Sequence, residues 1–207
     1  MNKKISEKYK NLFIDNSHDT KKKIVFSAIE LLAKGGYEAF TAKNIVNKAG
    51  ISKGSLYHHF KSIDDIPVEA IKQLRNSKMY LPSLKLDLFF SIDDYLNNYY
   101  DLFIENAKER DILSIYLFFD QKSLDNEEYR INKNYITDDL LNYHKNTIQF
   151  FYSKKIPDEI INPITALIVF TTEGITSHSF MYKEPNKFKK TWYLLVKSIQ
   201  NDLKDYL

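Results

Sequence analysis

The sequence predicts an all-α protein of about nine helices: an N-terminal helix-turn-helix domain followed by a larger C-terminal helical domain. Three observations predict it. The stretch TAKNIVNKAGISKGSLYHHF, Thr41 to Phe60, sets two short helical patterns around a single glycine. From about Leu81 onward, long apolar-periodic segments are punctuated only by Pro82, Pro157, Pro163 and Pro185. No segment shows strand-like alternation, and no internal repeat is present.

Residues 1–18 carry Lys3, Lys4, Lys8 and Lys10 around Ile5, Tyr9, Leu12 and Phe13. The helical spacing of those apolar residues favours an added helix over an extended basic arm. A first helix is expected from about Asp19 to Lys34, stopped by Gly35 and Gly36. Thr41 caps the second, which runs through Ile45, Val46 and Ala49 and ends at Gly50. Ile51 buries at the bend, and Ser52 caps the third, with Leu56 and Phe60 four apart on its inner face. Ser62 opens the fourth, with Asp65 as a weak capping-box partner. Five more are expected: 91–108 capped by Ser91, 111–123, 126–154, 162–183 with Asn162 as cap and Pro163 at its first position, and 186–206. The domain reading is therefore an extension, 1–18; a helix-turn-helix domain with its linking helix, 19–80; and a C-terminal domain, 81–207.

A chain of 207 residues and 24.5 kDa is long enough to bury a sizeable core in one or two domains. Its charge is uneven. Up to Tyr80 there are fifteen Lys and Arg against eight Asp and Glu, net +7; the remainder holds fifteen against nineteen, net −4, and together they give the formal +3. The positive charge thus collects beside the helix-turn-helix, as a polyanion partner requires. With no cysteine there are no disulfides, thiolate nucleophiles or Cys-based zinc sites. No apolar run approaches the roughly 18 residues of a membrane span, and no signal-peptide pattern opens the chain, so a cytoplasmic location is expected.

On the third helix, Lys53, Gly54, Ser55, Tyr57 and His58 lie away from the Leu56 and Phe60 face and are left for a partner. A helix so presented fits the major groove, about 12 Å wide, while the preceding helix crosses the backbone. Here the residues carry a wider resemblance. The run Lys21 to Ile66 resembles the N-terminal DNA-binding domain of the TetR family of bacterial transcriptional regulators. Its marks are Gly36-Tyr37, Thr41, Ala49-Gly50-Ile51-Ser52, and Lys53-Gly54-Ser55-Leu56-Tyr57-His58-His59-Phe60. It departs from the family at Asn44, where a carboxylate able to complete a capping box is common, and at Pro67, inside the first turns of the next helix.

Residue by residue, Ser52 can cap the helix and present its hydroxyl to a phosphate. Lys53 and Lys61 bracket the recognition helix and would neutralise phosphates without reading sequence. Gly54 inside a helix costs about 1 kcal/mol against Ala, and close approach to DNA supplies a reason for it. Ser55 can bond a base edge or phosphate. Tyr57 and His58 resemble the family's phosphate-contacting pair, while His59 reads as structural. From the second helix, Thr41 and Lys43 are placed for phosphate and Asn47 for a groove contact.

The C-terminal domain is rich in rings, many in doublets such as Tyr99-Tyr100 and Phe150-Phe151. In a bundle such residues are mostly core, but so many large rings leave a gap, and the resemblance implies a small, mainly hydrophobic or aromatic ligand in it. Candidate walls are Phe103, Tyr116, Phe119, Tyr143, Phe150 and Phe170. Glu173 and His178 interrupt an otherwise apolar helix. A buried carboxylate needs a partner, a raised pKa or a cationic ligand, so Glu173 reads either as a pocket residue or as a dimer contact. His144 is similarly open. Dimerisation is expected because helix-turn-helix proteins read two half-sites. Ile164, Leu167, Ile168, Thr171 and Ile175, with Phe188, Trp192, Leu195 and Ile199, supply apolar stripes for a four-helix interface.

The function so implied is a dimeric DNA-binding repressor released from its operator by a small molecule. The alternative is a ligand-independent architectural or partner-recruiting DNA-binding protein of the same fold. Enzyme chemistry lacks its marks: there is no Gly-rich phosphate loop, HExxH or G-x-S-x-G, and the five histidines are dispersed. No cofactor or metal site is implied.

Overall fold

The computed structural model describes residues 19–77, 81–82, 84–107, 110–179 and 185–207, so the N-terminal extension lies outside the described residues. They form nine α-helices: α1 (Thr20–Ala39), α2 (Ala42–Ala49), α3 (Lys53–His59), α4 (Asp65–Ser77), α5 (Ile92–Ala107), α6 (Arg110–Asp125), α7 (Glu127–Phe150), α8 (Asp158–Ser179) and α9 (Pro185–Leu203). Short 3-10 turns lie at Leu86–Leu88 and Lys204–Tyr206.

Two compact units result, and they do not divide at residue 80. One holds the chain up to Tyr80 together with Arg110–Ile136; the other holds Leu81–Glu109 and Thr137–Leu207. Packing explains the difference from a simple chain-order division. Phe118 of α6 is buried with Ile24, Ile29, Leu32, Phe40, Ile45, Leu56 and Phe60, its ring 5.1 Å from that of Phe40. The start of α7 sets Tyr129 against Val68 and Ile71 of α4, where Arg75 donates to Asn132 Oδ1 at 3.1 Å and covers the Tyr135 ring at 4.2 Å.

Local chemistry fixes most helix starts. Asp19 accepts from the Lys21 and Lys22 amides, Thr41 from Asn44, Ser91 from Asp94 and Asn126 from Tyr129. Asp65 accepts from the Ser62 amide at 2.9 Å, as the capping-box reading requires, and α4 begins at Asp65. Pro67 then falls in the first turn, where its missing N–H has no intrahelical acceptor to lose.

Three boundaries differ from expectation. Helix α1 does not stop at the glycine pair but bends at Gly36, φ 63° and ψ −158°, and resumes to Ala39. Helix α7 ends at Phe150 rather than 154, because the Gln149 amide donates to Lys154 O and accepts from the Ile156 N–H, fixing the chain in a turn. Helix α8 starts a turn early, at Asp158, with Ile160 and Ile161 donating to Pro157 O and two acidic residues in its first turn. Pro163 therefore lies inside the helix, and Thr165 Oγ1 donates to the Asn162 carbonyl beside it.

The second unit has its own core, in which Tyr95, Leu96 and Tyr99 of α5, Ile148 of α7, Ile164 and Ile168 of α8 and Trp192 of α9 are buried. Trp192 Nε1 donates to Leu96 O at 3.1 Å. In the first unit, Leu56 is fully buried on the short α3. Leu56→Ala is expected to lower stability by about 2–5 kcal/mol, measured by chemical denaturation.

Candidate functional site

The helix-turn-helix is held from both ends by its own side chains. Thr41 Oγ1 accepts from the Asn44 amide, and Asn44 Nδ2 reaches back to Ala39 O at 3.1 Å. The side-chain amide thus ties the entry to α2 from position 44, where a carboxylate would complete a capping box. Gly50 adopts φ 64° and closes α2 by donating to Asn47 O and Val46 O, a conformation that favours glycine. Ser52 Oγ accepts from the Ser55 amide at 3.0 Å, so the capping reading of Ser52 describes its geometry. Ile45, Leu56 and Phe60 anchor both helices to α1.

These anchors turn one continuous row to solvent. Thr41, Lys43 and Asn47 of the α2 side, and Ser52, Lys53, Gly54, Tyr57, His58 and Lys61 of the α3 side, are all exposed, and Ser55 is half-buried. Lys21 pairs with Glu69 at 2.7 Å and Lys48 with Glu30 at 2.9 Å, but among the described residues Lys43, Lys53 and Lys61 have no carboxylate partner. Lys53 Nζ lies 5.9 Å over the Tyr57 ring. A Cβ built on Gly54 would meet nothing nearer than Ser52 Oγ at 3.7 Å, so the fold does not itself require glycine there. His59 is half-buried and stands edge-on to His58 at 5.2 Å, consistent with a packing role.

The second unit places the other candidates in two different environments. Phe103 packs at the margin of the core, 5.8 Å from Tyr99, and Tyr143 lies beside His144 at 5.4 Å. Phe150 and Phe170, at 58% and 57% exposure, lie on the surface and do not wall an interior space. The side chains of Tyr116 and Phe119 lie outside those described. Glu173 is half-buried close enough to Tyr99 that, after burial itself, its charge helps push that phenol up to about 12. His178 is exposed, its Nδ1 2.9 Å from Gly174 O.

The sequence alone leaves the role of His144 open. Its ring is fully buried between Tyr99 and Tyr143, burial depresses its pKa to about 4, and neither nitrogen has a hydrogen-bond partner. The sequence signal that could have found it is its spacing of four from Ile148 on the inner stripe of α7. A separate half-open groove of about 670 Å³ lies between α5 and α9, lined by Tyr100, Asp101, Lys189, Lys190, Trp192 and Tyr193 among others, and contains none of the predicted walls.

The apolar stripes of α8 and α9 are also sorted by the structure. Ile164, Ile168, Ile175, Trp192 and Ile199 face their own core, whereas Leu167, Phe170, Tyr193 and Leu194 are each more than half exposed. Among the described residues, no helix is long and apolar enough to cross a membrane, and no three metal-ligating side chains converge.

A capped helix pair around a left-handed glycine, turning lysines, hydroxyls and a tyrosine outward, has the geometry of a helix-turn-helix. Residues 24–70 match the family model described as bacterial regulatory proteins, tetR family. The DNA-binding domain of this chain is thus similar to that of the TetR family of transcriptional regulators. It is 40% identical over 53 residues to the HTH-type transcriptional regulator YerO of Bacillus subtilis, covering 26% of this chain and 18% of that protein. It is 32% identical over 103 residues to the transposon Tn10 TetC protein of Escherichia coli, covering 48% of this chain and 52% of that one. The chain thus spans about half, or less, of the length of these relatives. A transcriptional regulator from Rhodococcus sp. Rha1 shares the fold with TM-score 0.64 and 12% identity, over 88% of this chain and 97% of that one. The multidrug binding protein EbrR, solved with malachite green, does so with TM-score 0.56 and 14% identity, over 86% and 96%.

Proposed function

We propose that this chain is a cytoplasmic, dimeric transcriptional repressor that leaves its operator when a small, mainly hydrophobic or aromatic molecule binds the C-terminal unit. The observation that carries the DNA-binding half is the exposed row from Thr41 to Lys61, where three lysines have no carboxylate partner among the described residues while neighbouring Lys21 and Lys48 are paired. Thr41, Lys43, Ser52, Lys53, Tyr57, His58 and Lys61 act on phosphates, Asn47 makes a groove contact from α2, Gly54 allows close approach to DNA, and Ser55 bonds a base edge or a phosphate. The aromatic interior around Tyr99 and Tyr143 supports an effector of matching character, and the malachite green bound by EbrR is a ligand of that kind. Such a molecule acts only by binding one dimer geometry better than the other.

The purified protein is expected to select a pseudo-palindromic duplex from genomic fragments, with affinity falling steeply as salt rises. Lys61→Ala should weaken binding to specific and non-specific DNA alike and reduce the log–log salt slope by about 0.9, the value for one phosphate contact. Tyr57→Phe should also weaken binding without changing sequence preference. Fluorescence anisotropy across a salt series measures both. Unaltered affinity in two folded variants would remove these residues from the interface.

A further inference from the structure

Two carboxylates follow Lys61 within four residues, Asp64 and Asp65, and an acid so placed competes with phosphate for the same ammonium. Their engagements differ. Asp65 Oδ2 accepts from the Ser62 amide at 2.9 Å and serves the start of α4. Asp64 is bonded from outside the helix-turn-helix: Lys122 Nζ of α6 donates to its Oδ1 at 2.6 Å.

Lys122 is held in place for that acid. Its side chain is 17% exposed, against 62% for Asp64. The ammonium lies 5.7 Å over the ring of Phe118, which is itself buried among Ile24, Phe40 and Leu56. A lysine fixed along its stem and against a ring loses little further side-chain freedom on pairing, and that loss is one of the terms that make exposed ion pairs weak. Lys61, by contrast, is exposed and has no carboxylate partner among the described residues. Its flexible four-carbon stem begins three residues before Asp64, in a chain reversal closed by the Asp65 amide donating to Ser62 O at 3.2 Å. Were Asp64 released, Lys61 would be its nearest cation along the chain, and a phosphate contact would first have to break that pair.

We propose that Lys122 is a positioning residue for DNA binding: by holding Asp64 it keeps Lys61 free for a backbone phosphate. This rests on the DNA-binding reading above and adds to it a residue of α6, distant in sequence from the helix-turn-helix, that itself touches no DNA.

Fluorescence anisotropy of the full chain on a mixed-sequence duplex, across a potassium chloride series, is the test. Lys122→Met, which keeps an apolar stem against Phe118, is expected to weaken binding by about fivefold, equivalent to about 1 kcal/mol, and to lower the log–log salt slope toward that of Lys61→Ala. Asp64→Asn should restore both in the Lys122→Met protein while changing little in the wild type, and Lys122→Met should have no further effect in a Lys61→Ala background. Lys122→Gln serves if the methionine variant does not fold. Unchanged affinity in the folded Lys122 variants would overturn the proposal. So would a loss that survives Asp64→Asn or persists alongside Lys61→Ala, since Lys122 would then act through the packing of α6 or on DNA directly. Those results would leave the DNA-binding reading standing. A wild type that binds no duplex, or a Lys61→Ala protein that binds as tightly as wild type, would overturn both.

Discussion

Acidification from pH 6.5 to pH 4 is expected to cost the folded chain about 3 kcal/mol through His144 alone. Burial lowers the imidazole from 6.5 to about 4, so across this window the unfolded chain binds a proton that the folded chain refuses. Stability rises with pH wherever the unfolded state holds more protons, so it falls as the solution is acidified. Tyr99, which faces the ring from α5, is pushed up to about 12 and takes no part in this range. Two carboxylates add losses at lower pH. Glu69, whose burial is outweighed by Gln73 and Lys21, and Asp158, held down by Lys145, are below their usual 4.5 and 3.8, and their stabilisation disappears as those values are passed. His144→Phe should therefore flatten the profile between pH 6.5 and 4 and leave the acid limb below it. Urea denaturation at half-unit intervals reads the difference, and parallel profiles for wild type and variant would contradict the assignment.

Phe170→Asp is expected to convert a dimer into monomers and to reduce operator affinity on the order of 100-fold. The residue stands on the outer face of α8 with Leu167, and α9 exposes Tyr193 and Leu194; no residue of the described chain covers them. Exposed apolar side chains of this size on the two C-terminal helices favour an association surface. A carboxylate at its centre would be desolvated opposite its own symmetry mate, at a cost of the size found when a dominant interface contact is removed, about 2–4 kcal/mol. One recognition helix alone reads few base pairs, so operator affinity falls when dimerisation is lost. Sedimentation velocity of the variant is the check. A Phe170→Asp protein that remains dimeric at micromolar concentration would place the interface elsewhere.

The helix-turn-helix was legible because its determinants are local. Thr41, Gly50 and Ser52 act on backbone groups within four residues, and Leu56 and Phe60 declare their face by spacing alone. Asn44 and Pro67 look like departures: Asn44 bonds the Ala39 carbonyl, and Pro67 falls in the first turn of α4, where its missing N–H costs no helical bond. The helix boundaries that differed, at Gly36, Gln149 and Pro163, depend on bends and loop bonds that periodicity does not encode.

The sequence by itself determined the all-α class, the exposed helix-turn-helix row and the uneven charge, because each follows from residue type and short-range spacing. Only the tertiary structure decided which side of α8 is interior, since that helix is apolar around most of its circumference and its period points in two directions at once. It turned Ile168 inward and Phe170 outward, set Glu173 beside Tyr99, and gathered α6 with the N-terminal helices through Phe118. It also made His144 a buried, unpaired imidazole. That property belongs to the neighbours brought to it from α5, and no reading of α7 alone contains it.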